Sequence, residues 1–205
     1  MPMEINDKQK DALTELVNIS FSKAANALSE LTGQRVSLEV PRVSIHPISV
    51  LGEALHELMD DEVTSVHQLF KGDISGDAML LVNTQNSLLL NDLLTDKTVG
   101  VTKSFDNSTR EVLVEVGNII LNACLGMFGN LLQVQFTFSV PELQIQSIAK
   151  MLSSVSANGS EIKYALLIYM GFFLKDSNIE GYLVVVLGVD SMSSFMKKVE
   201  ELSNI

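Results

Sequence analysis

A long segment of this chain is used twice, one hundred residues apart. Glu15-Leu-Val-Asn18 is matched by Glu115-Val-Gly-Asn118, and in each copy a proline, Pro41 or Pro141, stands twenty-three residues after the asparagine. A period this long marks a supersecondary unit repeated, so two similar halves are expected. Their approximate bounds are 6–100 and 105–205, joined in a single domain over 1–205.

The first half opens with a helix from Asn6 to about Leu31. Asn6 or Asp7 serves as N-cap and Gly33 is suited to the position just past the helix end. Leu13, Leu16, Ser20, Ala24, Ala27 and Leu31 recur at three- and four-residue steps and predict its buried stripe. Asp11, Glu15, Asn18 and Ser22 form a second stripe, aligned on one polar face because residues three or four apart are neighbours on a helix. Alternation over 34–41 predicts a half-buried strand, 42–50 is extended in character, and 52–61 reads as a short helical or irregular excursion. Strands follow at 63–71 and 78–82 about the turn Gly72–Gly76, then a helix at 85–94.

The second half retraces this order. Asp106 or Asn107 caps a helix to about Phe128, closed near Gly129-Asn130, and a strand at 131–140 leads to Pro141. Strands at 161–174 and 181–187 flank a turn at 175–180, and the last helix runs from about Asp190 to Leu202. The fold class expected is α+β: a pseudo-twofold, internally duplicated domain in which an antiparallel β-sheet packs against two long signature helices and further helices. The strands form either one continuous sheet or two packed halves.

With 46% apolar residues in 205, a sizeable core is available. The most continuous apolar stretch, Tyr164–Leu174, is far shorter than the roughly 20 residues that span a bilayer, so no transmembrane segment is expected. A net charge of −11 with scattered lysines and arginines argues against nucleic acid, whose affinity comes from clustered cations. The acidic N-terminus lacks a secretory layout and the single cysteine, Cys124, cannot form an internal disulfide, which together point to a cytoplasmic protein.

His46, His56 and His67 lack zinc-site spacing, Ser20 and Ser22 lack a nucleophile elbow, and Gly72 and Gly76 read as turn residues. Cys124 is assigned to the core. Met192 and Met196 are candidates for a partner-facing edge on the last helix.

The repeated polar face carries the functional signal. Asp11-x3-Glu15-x2-Asn18-x22-Pro41 resembles the signature of the CheC/CheX/FliY phosphatases of chemotaxis, in which Asp or Ser, then Glu, Asn and Pro occur at these spacings. Glu111-x3-Glu115-x2-Asn118-x22-Pro141 resembles it again, with Glu111 where Asp or Ser is expected. The resemblance implies hydrolysis of the aspartyl phosphate on phosphorylated CheY or a similar response regulator. It implies catalytic positions at Glu15, Asn18, Glu115 and Asn118, the asparagines orienting the attacking water and the glutamates anchoring the regulator through a cation such as a lysine.

Asp11, Ser22, Glu111 and Asn122 are the expected flanking contacts to the partner. No cofactor of its own is expected, and Mg2+ belongs to the response-regulator partner. An adaptor that binds a response regulator, a CheD-like deamidase or the flagellar switch without catalysis is the alternative. The chain would act as monomer or dimer, and a dimer could also bring the polar faces together. Val17, where the second copy has Gly117, adds bulk beside Asn18: it hampers the first site where the partner's backbone must approach closely, and is otherwise ordinary packing.

Overall fold

The computed structural model describes residues 5–156 and 163–203. The first half contains α1 (Asp7–Thr32), β1 (Val36–Pro47), α2 (Ile48–His56), β2 (Glu62–Gly72), β3 (Gly76–Asn83) and α3 (Thr84–Leu94). The second contains α4 (Asn107–Leu132), β4 (Phe136–Phe138), β5 (Glu142–Ser147), α5 (Ile148–Ser156), β6 (Lys163–Leu174), β7 (Ser177–Gly188) and α6 (Val189–Ser203). The halves share one element order, with β1 broken into β4 and β5 in the second.

All seven strands join one sheet in the order β1-β6-β7-β3-β2-β4, with β5 also paired to β2, and every pairing is antiparallel. Exchanging the halves turns this order into itself read backwards. At its centre Met79 of β3 pairs with Val184 of β7, its own counterpart 105 positions later. Of the two arrangements left open by the sequence, the continuous sheet is the one formed.

Both sheet faces are covered, which explains the unbroken apolar runs of β6 and β7. Leu183, Val185 and Leu187 pack under α1, α4 and α6, while Tyr182, Val184 and Val186 pack under α2 and α5, because successive side chains leave a strand on opposite faces.

Local chemistry sets the helix ends. Asn6 closes α1 as a capping box: its side chain accepts from the Gln9 amide at 2.9 Å and Gln9 accepts from the Asn6 amide at 3.1 Å. Gly33 ends the helix with φ 66°, a conformation glycine adopts without steric cost. Asp106 caps α4 by accepting from the Thr109 amide at 2.8 Å.

Several boundaries differ from the sequence reading. α1 buries Val17, Phe21, Ala25 and Leu28, whereas Ala27 and Leu31 are exposed. α4 runs through Gly129-Asn130 and ends at Leu132, where Gln133 takes the left-handed conformation, because packing continues to favour helix. The strand expected at 131–140 is therefore reduced to β4, followed by β5. Helix α2 begins at Ile48 rather than in the fifties, and its counterpart α5 was not anticipated. β7 begins at Ser177, so the expected six-residue turn contracts to Lys175-Asp176. Glu161 and Ile162 lie outside the described residues.

By length and composition Asn107–Asn130 is apolar enough to cross a membrane. In this fold it is a core helix: Leu113, Val116, Ile120, Leu121, Cys124, Leu125 and Phe128 are all buried. Burial pushes the Cys124 thiol well above its usual range, as suits a packing residue. Met192 and Met196 are also buried, so the last helix presents no methionine edge to a partner.

Asp92, fully buried in α3, holds the chain that follows. Its carboxylate accepts from the Gly100 amide at 2.8 Å, from the Thr102 amide at 3.2 Å and from the Thr102 hydroxyl. Burial raises its pKa, but the hydrogen bonds from Thr102, Gly100 and Val101 outweigh that and hold it below the ordinary value. A carboxyl whose pKa is depressed by folding stabilises above its unfolded value and loses that contribution as the pH falls through the folded one. Asp92→Asn is thus expected to cost about 2 kcal/mol at pH 7. In urea titrations at stepped pH, the gap to the wild type should narrow below about pH 4; a gap independent of pH would contradict this role.

Candidate functional site

Helices α1 and α4 pack side by side on one face of the sheet. The end of α1, at Leu31 and Thr32, borders the first turns of α4, at Glu111, Val112, Glu115 and Val116. The two helices are therefore antiparallel, and each carries its Glu-x-x-Asn pair in its N-terminal half.

In the first copy Asp11, Glu15, Asn18 and Ser22 are all exposed. The Ser22 hydroxyl donates to the Asn18 carbonyl at 2.9 Å, bonding the helix backbone and leaving the Asn18 side chain without a hydrogen bond among the described residues. In the second copy Glu111 and Glu115 are exposed, while Asn118 and Asn122 are half-buried. Asn122 Nδ2 donates to Asn118 Oδ1 at 2.6 Å, and Asn122 Oδ1 is buried without a partner. The two copies thus differ: Asn118 is held by a neighbouring amide, whereas the Asn18 side chain makes no hydrogen bond among the described residues. Hydrogen-bonding capacity survives in both, since an amide oxygen has two lone pairs and its nitrogen two protons.

Val17 does not stand beside Asn18 on the outer face. It is fully buried, and Gly117 occupies the equivalent inward position, where an added Cβ would meet Val66 Cβ and Cγ1 of β2 at 2.5 Å. The difference lets α4 approach the sheet more closely than a valine would permit. It does not alter access to either asparagine.

Pro41 lies within β1 and Pro141 just before β5, both on the connection out of the signature helix. Sequence reasoning missed a groove of 440 Å3 lined by Leu31, Leu94, Val112 and Val116, with Glu111 and Glu115 at its edge. The unexpectedly exposed Leu31 is its sequence trace. A smaller cavity of 230 Å3, between β1 and α2 on the other sheet face, contains none of the signature residues. Among the described residues, no three His, Cys, Asp or Glu side chains come together as metal ligands.

These features define an α+β protein with two Glu-x-x-Asn helix faces, the first exposed and the second partly so. The CheC-like family model matches residues 9–45, which contain the first signature. Among curated relatives, the flagellar motor switch phosphatase FliY of Bacillus subtilis is 24% identical over 202 residues, covering 94% of this chain but 50% of FliY. This chain therefore spans about half the length of that relative. The CheY-P phosphatase CheC of the same organism is 24% identical over 151 residues, covering 73% of this chain and 72% of CheC.

Thermotoga maritima FliY superposes with a TM-score of 0.77 at 17% identity, covering 97% of this chain and 99% of that one. FliM in a FliG–FliM complex from H. pylori gives 0.65 at 13%, covering 94% and 100%. CheX in a CheX–CheY–BeF3–Mg complex from Borrelia burgdorferi gives 0.52 at 16%, covering 82% and 96%. Taken together, the family model, the named relatives and the shared fold support the resemblance to the CheC/CheX/FliY family.

Proposed function

We propose that this protein accelerates hydrolysis of the aspartyl phosphate on a phosphorylated, CheY-like response regulator. The observation that carries the reading is that both copies of the signature set a glutamate and an asparagine one turn apart on the outer side of a core-packed helix. A helix stiffened along its inner face can present this pair to a phosphate on another protein without reorganising. The phosphatase names of FliY and CheC support the same reading.

In this mechanism Asn18 and Asn118 orient the water. An acyl phosphate already has a good leaving group, and the regulator's Mg2+ supplies charge neutralisation when bound. The task left to this chain is to hold the nucleophile in line and limit its freedom. An amide can do so by accepting from the water and donating to a phosphate oxygen. Glu15 and Glu115 anchor the partner by pairing with a cation beside its phosphate, a charge-assisted contact. Asp11 and Ser22, and Glu111 and Asn122, border the two contacts, with Asn122 also steadying Asn118.

The test follows the acyl phosphate on a purified CheY-like regulator with and without the protein. Acceleration is expected; regulator binding with no acceleration would instead support a non-catalytic adaptor, a reading favoured by the fold shared with FliM. A CheD-like partner belongs to that second reading.

A further inference from the structure

The groove beside Glu115 follows from a difference between the helices that close the two halves. α3 ends at Leu94, and the chain beyond it is tied back to Asp92. α6, in the corresponding place 105 positions later, passes Val199, the counterpart of Leu94, and continues to Ser203. It packs against α1, the helix of the first copy. α6 is thus a turn longer than α3, and where the shorter α3 ends an apolar slot borders the second copy.

That slot has a definite chemistry. Leu31, 58% exposed, and the half-buried Val112 form its sides with Leu94 and Val116, and Glu111 and Glu115 stand at its edge. Neither carboxylate makes an ion pair among the described residues. From Glu111 to Asn118 is about 10 Å along the helix, so a protein whose phosphate reaches Asn118 covers the slot as well.

We propose that this groove is a docking surface for the response regulator at the second copy only, taking an apolar side chain of that partner flanked by lysine or arginine. The proposal rests on the phosphatase reading and deepens it: the two sites differ in how they hold the regulator. The apolar walls supply burial and the paired carboxylates select a basic neighbour, while an acidic segment is repelled by them and by a net charge of −11.

The experiment measures binding of a CheY-like regulator loaded with BeF3− and Mg2+, in a background where Glu15→Lys and Asn18→Ala disable the first copy. Leu31→Asp is expected to weaken binding about tenfold, the loss of one buried leucine contact. Glu111→Lys should weaken it and flatten its salt dependence. Val50→Asp, on the exposed side of α2, is the surface control and should change the affinity less than about twofold.

Leu31 and Glu111 are both exposed, so thermal melts should report folded variants. If Leu31→Asp and Glu111→Lys both bind like the background protein, the groove proposal is wrong and the phosphatase reading stands. If the unmodified protein neither binds nor dephosphorylates any regulator, both fail. A change of sedimentation with Leu31→Asp, at unchanged regulator affinity, would make the groove a contact between copies and overturn the proposal.

Discussion

Replacing both Asn18 and Asn118 by alanine is expected to return the loss of acyl phosphate to the regulator's own rate. An acceleration of about a hundredfold corresponds to roughly 2.7 kcal/mol of barrier, within reach of water orientation by one amide. Each single variant should retain part of the activity if both copies work. The copies need not contribute equally: Asn118 is restrained by Asn122 at 2.6 Å, whereas Asn18 must be ordered when the partner arrives. Because Asn18 is exposed and Asn118 half-buried, loss of activity is to be read beside unchanged melting and retained binding of the BeF3−-loaded regulator. If the wild type accelerates the reaction and the double variant does so equally, these asparagines do not orient the water.

The second large effect concerns stability. Gly117→Val is expected to destabilise the protein by about 3 kcal/mol, since overpacking a dense core costs about 1–3 kcal/mol and occasionally more. An added Cβ already reaches 2.5 Å from two carbons of Val66, and the γ-methyl groups need further room. The small helix-propensity gain over glycine cannot offset this. The reverse exchange should also destabilise: Val17→Gly removes a fully buried side chain, with an expected loss of about 3 kcal/mol from burial, cavity and propensity together. Denaturant midpoints of the two variants check both values. Neither exchange should bring a partner nearer to Asn18, and selective activation of the first site by Val17→Gly would restore Val17 as an outer obstruction.

Legibility in the sequence followed the range of the interaction concerned. The polar stripe of α1 was readable because its geometry depends only on helical spacing, and Glu15 and Asn18 are exposed as expected. The Asn6 cap and Gly33 stop were readable because each acts within one turn. Whether Val17 obstructs or packs stayed open in the sequence because a helical wheel does not fix which side neighbouring elements cover, and its burial decides for packing. Leu31 was assigned to the core for its spacing, yet the early end of α3 leaves it at an open groove. Ending α4 near Gly129-Asn130 failed for a similar reason: Gly129 and Phe128 are buried, and tertiary packing overrides a weak local preference.

The amino-acid sequence by itself determined the two-part plan, the α+β class and the alignment of each glutamate with its asparagine, since periodicity and capping are local properties. Only the tertiary structure decided that β3 and β7 join the halves into one sheet and that Gly117 is a contact to Val66. It also decided that Asn118 leans on Asn122 while Asn18 stands alone, and that a groove opens beside one copy. Those outcomes depend on which distant surfaces meet, and each was set by packing among elements far apart in the chain.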